Sequence, residues 1–196
     1  MRRAEREITQ ASFVVNVPKE RVGVLIGESG SVKTRLEREL GVRLDIDSSE
    51  GTVVINLSQP PGMGGDPTSL FKARDVITAI ARGFTPEKAF KLFMDDYMLS
   101  ILDLTDYVGD NFNHLTRVKA RIIGSMGKTR RIIEETCQVD VSVYGDTVGI
   151  IGRYSDVKAA EDAVRALMEG APHGAVYRML NEHARLRKTG GLYPPR

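Results

Sequence analysis

One cysteine, Cys137, no tryptophan and three scattered histidines (His114, His173, His183) leave little room for several kinds of chemistry. A lone cysteine excludes a disulfide framework and a cysteine-rich zinc site, and suits a reducing, cytoplasmic setting. The histidines form no i, i+4 pair, so a zincin helix is excluded and neither a metal centre nor a cofactor is expected. No stretch approaches the roughly 18–20 apolar residues of a membrane-spanning helix, so no membrane partner is expected. Residues 1–7 (MRRAERE) have no apolar run behind them and do not read as a signal peptide. Net charge is also scarce: 28 basic against 26 acidic residues leave +2 over 196 residues. Any nucleic-acid binding must therefore come from charge concentrated locally. The 41% of hydrophobic residues is enough for one ordinary domain or two small ones.

What the chain does have is an internal repeat. Residues 24–30 (VLIGESG) lie over residues 121–127 (RIIGSMG). Without a gap, Leu36 then falls on Ile133, Glu37 on Glu134, Leu40 on Cys137, Val42 on Val139, Leu44 on Val141 and Ile46 on Val143. Further on, residues 52–55 (TVVI) lie over 147–150 (TVGI), and 73–77 over 160–164. The register changes only at turns, where insertions are tolerated.

Each copy reads as β-α-α-β-β-α. In the first, residues 12–17 are β-rich and closed by Pro18, and 19–26 form a short helix ending at Gly27. Val32, Leu36 and Leu40 recur at helical spacing, and Gly41 follows as a left-handed cap. Val42, Leu44 and Ile46 alternate with charged residues as a half-buried strand. A second strand at 52–57, a proline-glycine loop at 59–67 and a helix at 68–82 complete the copy. The second copy is expected to have strands at 98–104, 139–143 and 148–151 and helices at 111–123, 128–137 and 156–168. Between the copies, Thr85-Pro86-Glu87 is a helix start. It predicts a connecting helix, and a further helix is expected at 175–187 before a loose end at 190–196. The expected division is a first domain at 1–84, the connecting helix at 85–96, a second domain at 97–170, and a C-terminal helix and tail at 171–196. The fold class is α+β, with the two units packed together.

A Gly-x-x-Gly spacing is weak by itself: with 19 glycines in 196 residues, roughly two arise by chance. Four occur, at 27–30, 62–65, 124–127 and 149–152. Only 27–30 and 124–127 sit between two helical segments, behind an apolar pair ending in Ile and ahead of a helix and an alternating strand. In that context the chain resembles the type I K-homology (KH) RNA-binding domain, present twice. Paired glycines let backbone approach a sugar–phosphate chain closely, and the following helix start offers N–H groups and partial positive charge to phosphate. The resemblance implies that about four single-stranded nucleotides are held there against an apolar groove.

The copies differ in charge. Arg117, Lys119, Arg121, Lys128, Arg130 and Arg131 surround the second loop with no acid between them, whereas Arg21 and Lys33 are balanced by Glu20 and Glu28 around the first. Glu28 lies inside the loop that would meet phosphate, and like charges repel. The second copy is therefore expected to bind RNA, the first to serve as scaffold or protein contact. The RNA-binding residues expected are Lys119, Arg121, Ile122, Ile123, Gly124, Ser125, Met126, Gly127, Lys128, Thr129, Arg130, Arg131 and Val141. Ile122, Ile123, Val139, Val141 and Val143 are candidates for the apolar groove, although some of them must serve the core.

Longer stretches sharpen the resemblance: residues 91–97 (KLFMDDY), 101–104 (ILDL), 128–134 (KTRRIIE), 142–145 (SVYG), 147–152 (TVGIIG) and 169–174 (EGAPHG). They are similar to the archaeal and eukaryotic small-subunit ribosome assembly factors of the Partner-of-Nob family. That resemblance implies a non-catalytic protein binding single-stranded RNA near the 3′ end of small-subunit rRNA. It also implies partnership with the endonuclease that trims that end and, in archaea, with the alpha subunit of initiation factor two. A protein scaffold in translation initiation, with incidental RNA contact, is the alternative.

Rival constellations are weaker. Gly127-Lys128-Thr129 looks like the end of a P-loop, but Ile122 stands where that motif needs glycine. Asp95, Asp96, Asp103, Asp106 and Asp110 could in principle hold Mg²⁺ for hydrolysis, yet nothing puts them on one face. Cys137 replaces Leu40 and reads as core. Glu134 reads as a solvated helix position, and His173 as part of a turn orienting the tail helix. Arg178, Arg185, Arg187 and Lys188 form either a solvated face or an extension of the RNA surface.

Overall fold

The computed structural model describes residues 12–189; residues 1–11 and the expected loose end at 190–196 lie outside the described residues. The chain divides into two compact units, Met1–Ala81 and Arg82–Arg196.

The first unit runs β1 (Ser12–Asn16), α1 (Lys19–Ile26), α2 (Ser31–Leu40), β2 (Val42–Asp47), β3 (Thr52–Leu57) and α3 (Thr68–Ala81). Its antiparallel sheet has the order β1-β3-β2, with Phe13 and Leu44 flanking Ile55 on the central strand. The alternation read at Val42 and Leu44 buries both. Leu25, Leu36, Ile55, Ile77 and Ile80 have no exposed surface; each stabilises the unit by about 1.5–3 kcal/mol.

The second unit repeats this order with additions. It begins with α4 (Pro86–Ala89) and continues through β4 (Tyr97–Asp103), α5 (Thr105–Val108), α6 (Phe112–Ile123), α7 (Lys128–Cys137), β5 (Asp140–Tyr144), β6 (Thr147–Arg153), α8 (Tyr154–Met168) and α9 (His173–Lys188). The sheet order is β4-β6-β5, with Leu102 opposite Val148 and Val141 opposite Ile150. One sheet face is closed by α6, α7 and α8 around Leu104, Ile122, Ile133, Cys137, Ile150 and Val164. Helix α9 adds Val176 and Leu180 to that core.

The expected connecting helix at 85–96 is not continuous. It is one α turn, α4, followed by a 3-10 turn at Phe90–Phe93 and an extended backbone at Met94. The cause is the far face of the second sheet, which carries Leu99, Ile101, Gly149 and Ile151 by strand alternation. The segment follows that face instead of its own helical period. Phe84, Ala89 and Leu92 become buried, and Phe84 Cε2 lies 2.6 Å from where a Cβ on Gly149 would stand. Lys88 and Lys91 then reach Asp140 on β5 at 3.1 and 2.6 Å. The short helix α5 was not expected either. Asp103 ends β4 and accepts hydrogen bonds from the Thr105 N–H at 2.9 Å and hydroxyl at 2.7 Å.

Candidate nucleic-acid interface

Helix α6 stops at Gly124 (φ 73, ψ 171), a 3-10 turn covers Ser125–Gly127, and α7 starts behind Gly127 (φ 75, ψ 13). Met126 has φ 51 and is 90% exposed at the tip. The first unit has the same backbone: Gly27 (φ 75, ψ 172), Ser29 (φ 51, ψ 27) and Gly30 (φ 79, ψ 12).

The two glycines of each loop do different work. A Cβ on Gly124 would stand 2.7 Å from the Thr129 amide nitrogen and 2.8 Å from its Cβ; on Gly27 it would stand 2.8 and 2.9 Å from the same atoms of Val32. The first glycine thus lets the next helix begin directly beneath the loop. A Cβ on Gly127 or Gly30 would meet nothing, so only the positive φ favours glycine there. The product is a knuckle of bare backbone at a helix start, whose N–H groups lack intrahelical partners.

Charge separates the two knuckles. In the second unit Arg117, Lys128 and Arg131 are exposed and, among the described residues, pair with no carboxylate. Lys119 is held by Asp146 at 2.7 Å, and Arg130 leans toward Glu134 at 3.6 Å. Arg121 donates from Nε to the Leu167 carbonyl at 3.1 Å and from Nη2 to the Ala171 carbonyl at 2.6 Å, which fixes its guanidinium beside Gly124. In the first unit Glu28 is exposed within the loop itself.

Comparison with known proteins agrees with this geometry. Residues 98–185 match the family described as the eukaryotic type KH-domain (KH-domain type I), and residues 12–79 match the KH domain. A KH domain-containing protein of Methanocaldococcus jannaschii is 46% identical over 85% of this chain and 71% of its own. Among solved structures, Dim2p of Pyrococcus horikoshii has 42% identity and a TM-score of 0.80, with 88% of this chain and 99% of that one covered. This chain belongs to the Partner-of-Nob family. The pre-rRNA-processing protein pno1 of Schizosaccharomyces pombe is 32% identical over 61% of this chain, which spans half of that relative's length. An a/eIF2alpha–aDim2p–rRNA complex from Pyrococcus horikoshii has 41% identity, a TM-score of 0.82 and 91% and 97% coverage.

Within this Partner-of-Nob chain several expected contacts need correction. Ile122 is fully buried and Val141 is 3% exposed, both in the core under α8, so neither faces a ligand. Val139 is buried as well, while Ile123 and Val143 are half-buried. Apolar alternation marks the inward face of β5, and that face belongs to the core. Thr129 is 2% exposed and shares a 3.0 Å hydrogen bond with the Tyr177 hydroxyl; it supports the loop from below. Ser125, Met126 and Lys128 are exposed at the knuckle, as are Arg130 and Arg131 on the first turn of α7.

Glu134 is not a solvated position. Its Oε1 accepts the Val141 N–H of edge strand β5 at 3.0 Å, and Glu37 does the same for Leu44 on β2 at 2.9 Å. The coincidence of the two glutamates in the repeat was the available signal. Tyr177 had none, because α9 has no counterpart in the first copy, and His173 was legible only as part of the turn before the tail helix. His173 Nε2 lies 3.0 Å from the Arg121 carbonyl and so ties the 169–174 turn to the end of α6.

The rival constellations gain nothing. Among the described residues no group of three or more His, Cys, Asp or Glu is placed to hold a metal. Asp96 pairs with Arg153 at 3.0 Å, and the Thr105 hydroxyl and N–H hold the Asp103 carboxyl below its ordinary range. Cys137 is buried; burial, with the Asp156 carboxylate nearby, pushes its thiol up to about 12, which disfavours the thiolate. Of the tail cations, Arg187 is bound to the Cys137 carbonyl at 3.1 Å, while Arg178, Arg185 and Lys188 are exposed. No helix of the described residues is long and apolar enough to cross a membrane.

Proposed function

We propose that this chain is a non-catalytic factor of small ribosomal subunit maturation, acting in the cytoplasm, that holds single-stranded RNA near the 3′ end of small-subunit rRNA through its second KH unit. One observation carries the reading: two knuckles share one backbone, yet the second stands among Arg117, Lys128 and Arg131, which pair with no carboxylate among the described residues, while the first presents Glu28 and its Lys33 lies 3.9 Å from Glu37. The fungal relative's name, a pre-rRNA-processing protein, and the solved complex with rRNA support the RNA class and the process. The same complex supports the alpha subunit of initiation factor two as a partner. The trimming endonuclease is proposed from the family resemblance.

Gly127→Asp and Gly30→Asp test the asymmetry. Both side chains would enter open space at a positive φ, so both carry the same backbone cost of about 1 kcal/mol, aspartate being among the residues that tolerate it. With a mixed-sequence single-stranded RNA, Gly127→Asp is expected to weaken binding about tenfold or more, the cost of replacing one charge-assisted phosphate contact with repulsion. Gly30→Asp is expected to change it less than about twofold, since no phosphate contact is made there. Equal losses would overturn the assignment to the second unit.

A further inference from the structure

A concavity of about 390 Å³ lies beside the second knuckle, between α6 and the start of α9. Arg117, Arg121, Gly124, Lys128, His173 and Tyr177 line it, and among the described residues no acidic one does. It includes no residue of β5, so it is distinct from the β5 side of the domain.

Three of these groups are cations, and they differ in how they are held. Arg121 is pinned by two backbone carbonyls through Nε and Nη2, which leaves Nη1 without a partner among the described residues and the guanidinium plane fixed. Arg117 and Lys128 have no ion pair among the described residues and are free to close over a ligand. Tyr177 bonds to Thr129 and His173 to the Arg121 carbonyl, so the α9 wall is tied to the start of α7 and the end of α6. A pre-oriented guanidinium with two mobile cations, in a hollow that no described carboxylate lines, is a receptor for a phosphate group. Arg117 also lines a second hollow, of about 300 Å³, with Asn111, Asn113 and His114 at the start of α6. Asn113, Arg117 and Arg121 are spaced four apart and share one helix face. A basic and amide-bearing track therefore leads away from the knuckle along α6.

The geometry points to a phosphate-binding pocket that takes the phosphodiester of a nucleotide flanking those held at the GSMG loop, and so lengthens the bound strand on the α9 side. This rests on the RNA reading given above. Phosphate contact at the KH loop itself needs only the knuckle; this pocket also needs α9, which the first unit lacks.

The test compares the full-length chain's affinity for mixed-sequence RNAs of four and eight nucleotides. Arg117→Gln is expected to lower eight-nucleotide affinity about tenfold more than four-nucleotide affinity, the cost of a lost contact to a charged group. Arg131→Gln, outside the pocket, is expected to lower both lengths alike. Equal effects of Arg117→Gln on both lengths, or none on either, overturn the pocket. If inorganic phosphate alone raises the Tm of the wild type but not of Arg117→Gln, with no length-dependent loss, the pocket holds a free anion and the strand assignment is wrong. If wild type binds neither RNA, the functional reading itself fails. RNA binding that is lost in Gly127→Asp but unaffected by length in Arg117→Gln removes only the pocket.

Discussion

Gln138 holds φ 57, the left-handed conformation that ends α7, where the first copy ends α2 with Gly41 at φ 61. The repeat alignment puts these residues opposite one another, and the second copy has accepted a Cβ where the first has none. Gln138 is exposed, so its side chain offers no packing to lose. Gln138→Gly is expected to raise stability by about 0.5–1 kcal/mol, less the extra freedom glycine gives the unfolded chain. Chemical denaturation would show this as a higher midpoint at unchanged slope, and a lower midpoint would mean the glutamine makes an unrecognised contact. Single residues were legible where backbone chemistry selects a residue type: the loop glycines and the Gly41 cap could be read directly. What an apolar face serves could not. The spacing of Leu115, Val118 and Ile122 on α6 and the alternation of Val139 and Val141 mark an inward face, but periodicity does not say whether that face is core or ligand groove, and the packing of α8 makes it core.

At the scale of elements, the repeated glutamates brace each edge strand against the helix before it. Antiparallel edges leave N–H groups unpaired, and Glu37 and Glu134 each supply an acceptor to one of them. Glu134 also stands 3.7 Å from Lys88 and 3.6 Å from Arg130. Glu134→Ala is expected to destabilise the protein by about 1–3 kcal/mol, because it strands a partly buried N–H. Glu134→Gln keeps an oxygen for Val141 and forfeits only partly exposed ion pairs, a loss of about 1 kcal/mol or less. Thermal unfolding of the two variants would separate these costs; equal destabilisation would mean that charge, and not the strand contact, is what matters. Element order was legible because local periodicity and turn residues agree in both copies. The 85–96 segment was not, because its Thr-Pro-Glu start is a real helix signal, but the exposed far side of the second sheet offers Phe84 and Leu92 more burial than a straight helix would.

For the whole molecule, a net charge of +2 carries no strong field of its own, so nucleic-acid binding depends on where a few cations stand. Arg117, Arg121, Lys128 and Arg131 are the groups around the second knuckle that no carboxylate neutralises among the described residues. If three or four of them meet phosphates, counterion release from a single strand gives a slope of log K against log salt of about −2 to −3. Raising salt from about 50 to about 200 mM should then weaken binding roughly 15- to 60-fold. Lys128→Gln should flatten the slope by about 0.7, one phosphate's worth, whatever the RNA sequence. A slope near zero would mean that phosphate contacts contribute little. The translation-initiation scaffold would then be the better account, since a protein partner docked through apolar and hydrogen-bonded contacts is not displaced by simple salt in this way. The slope thus decides between two classes of partner without requiring that the RNA sequence be known, and its change in a single variant tests whether the counted cations are the ones engaged.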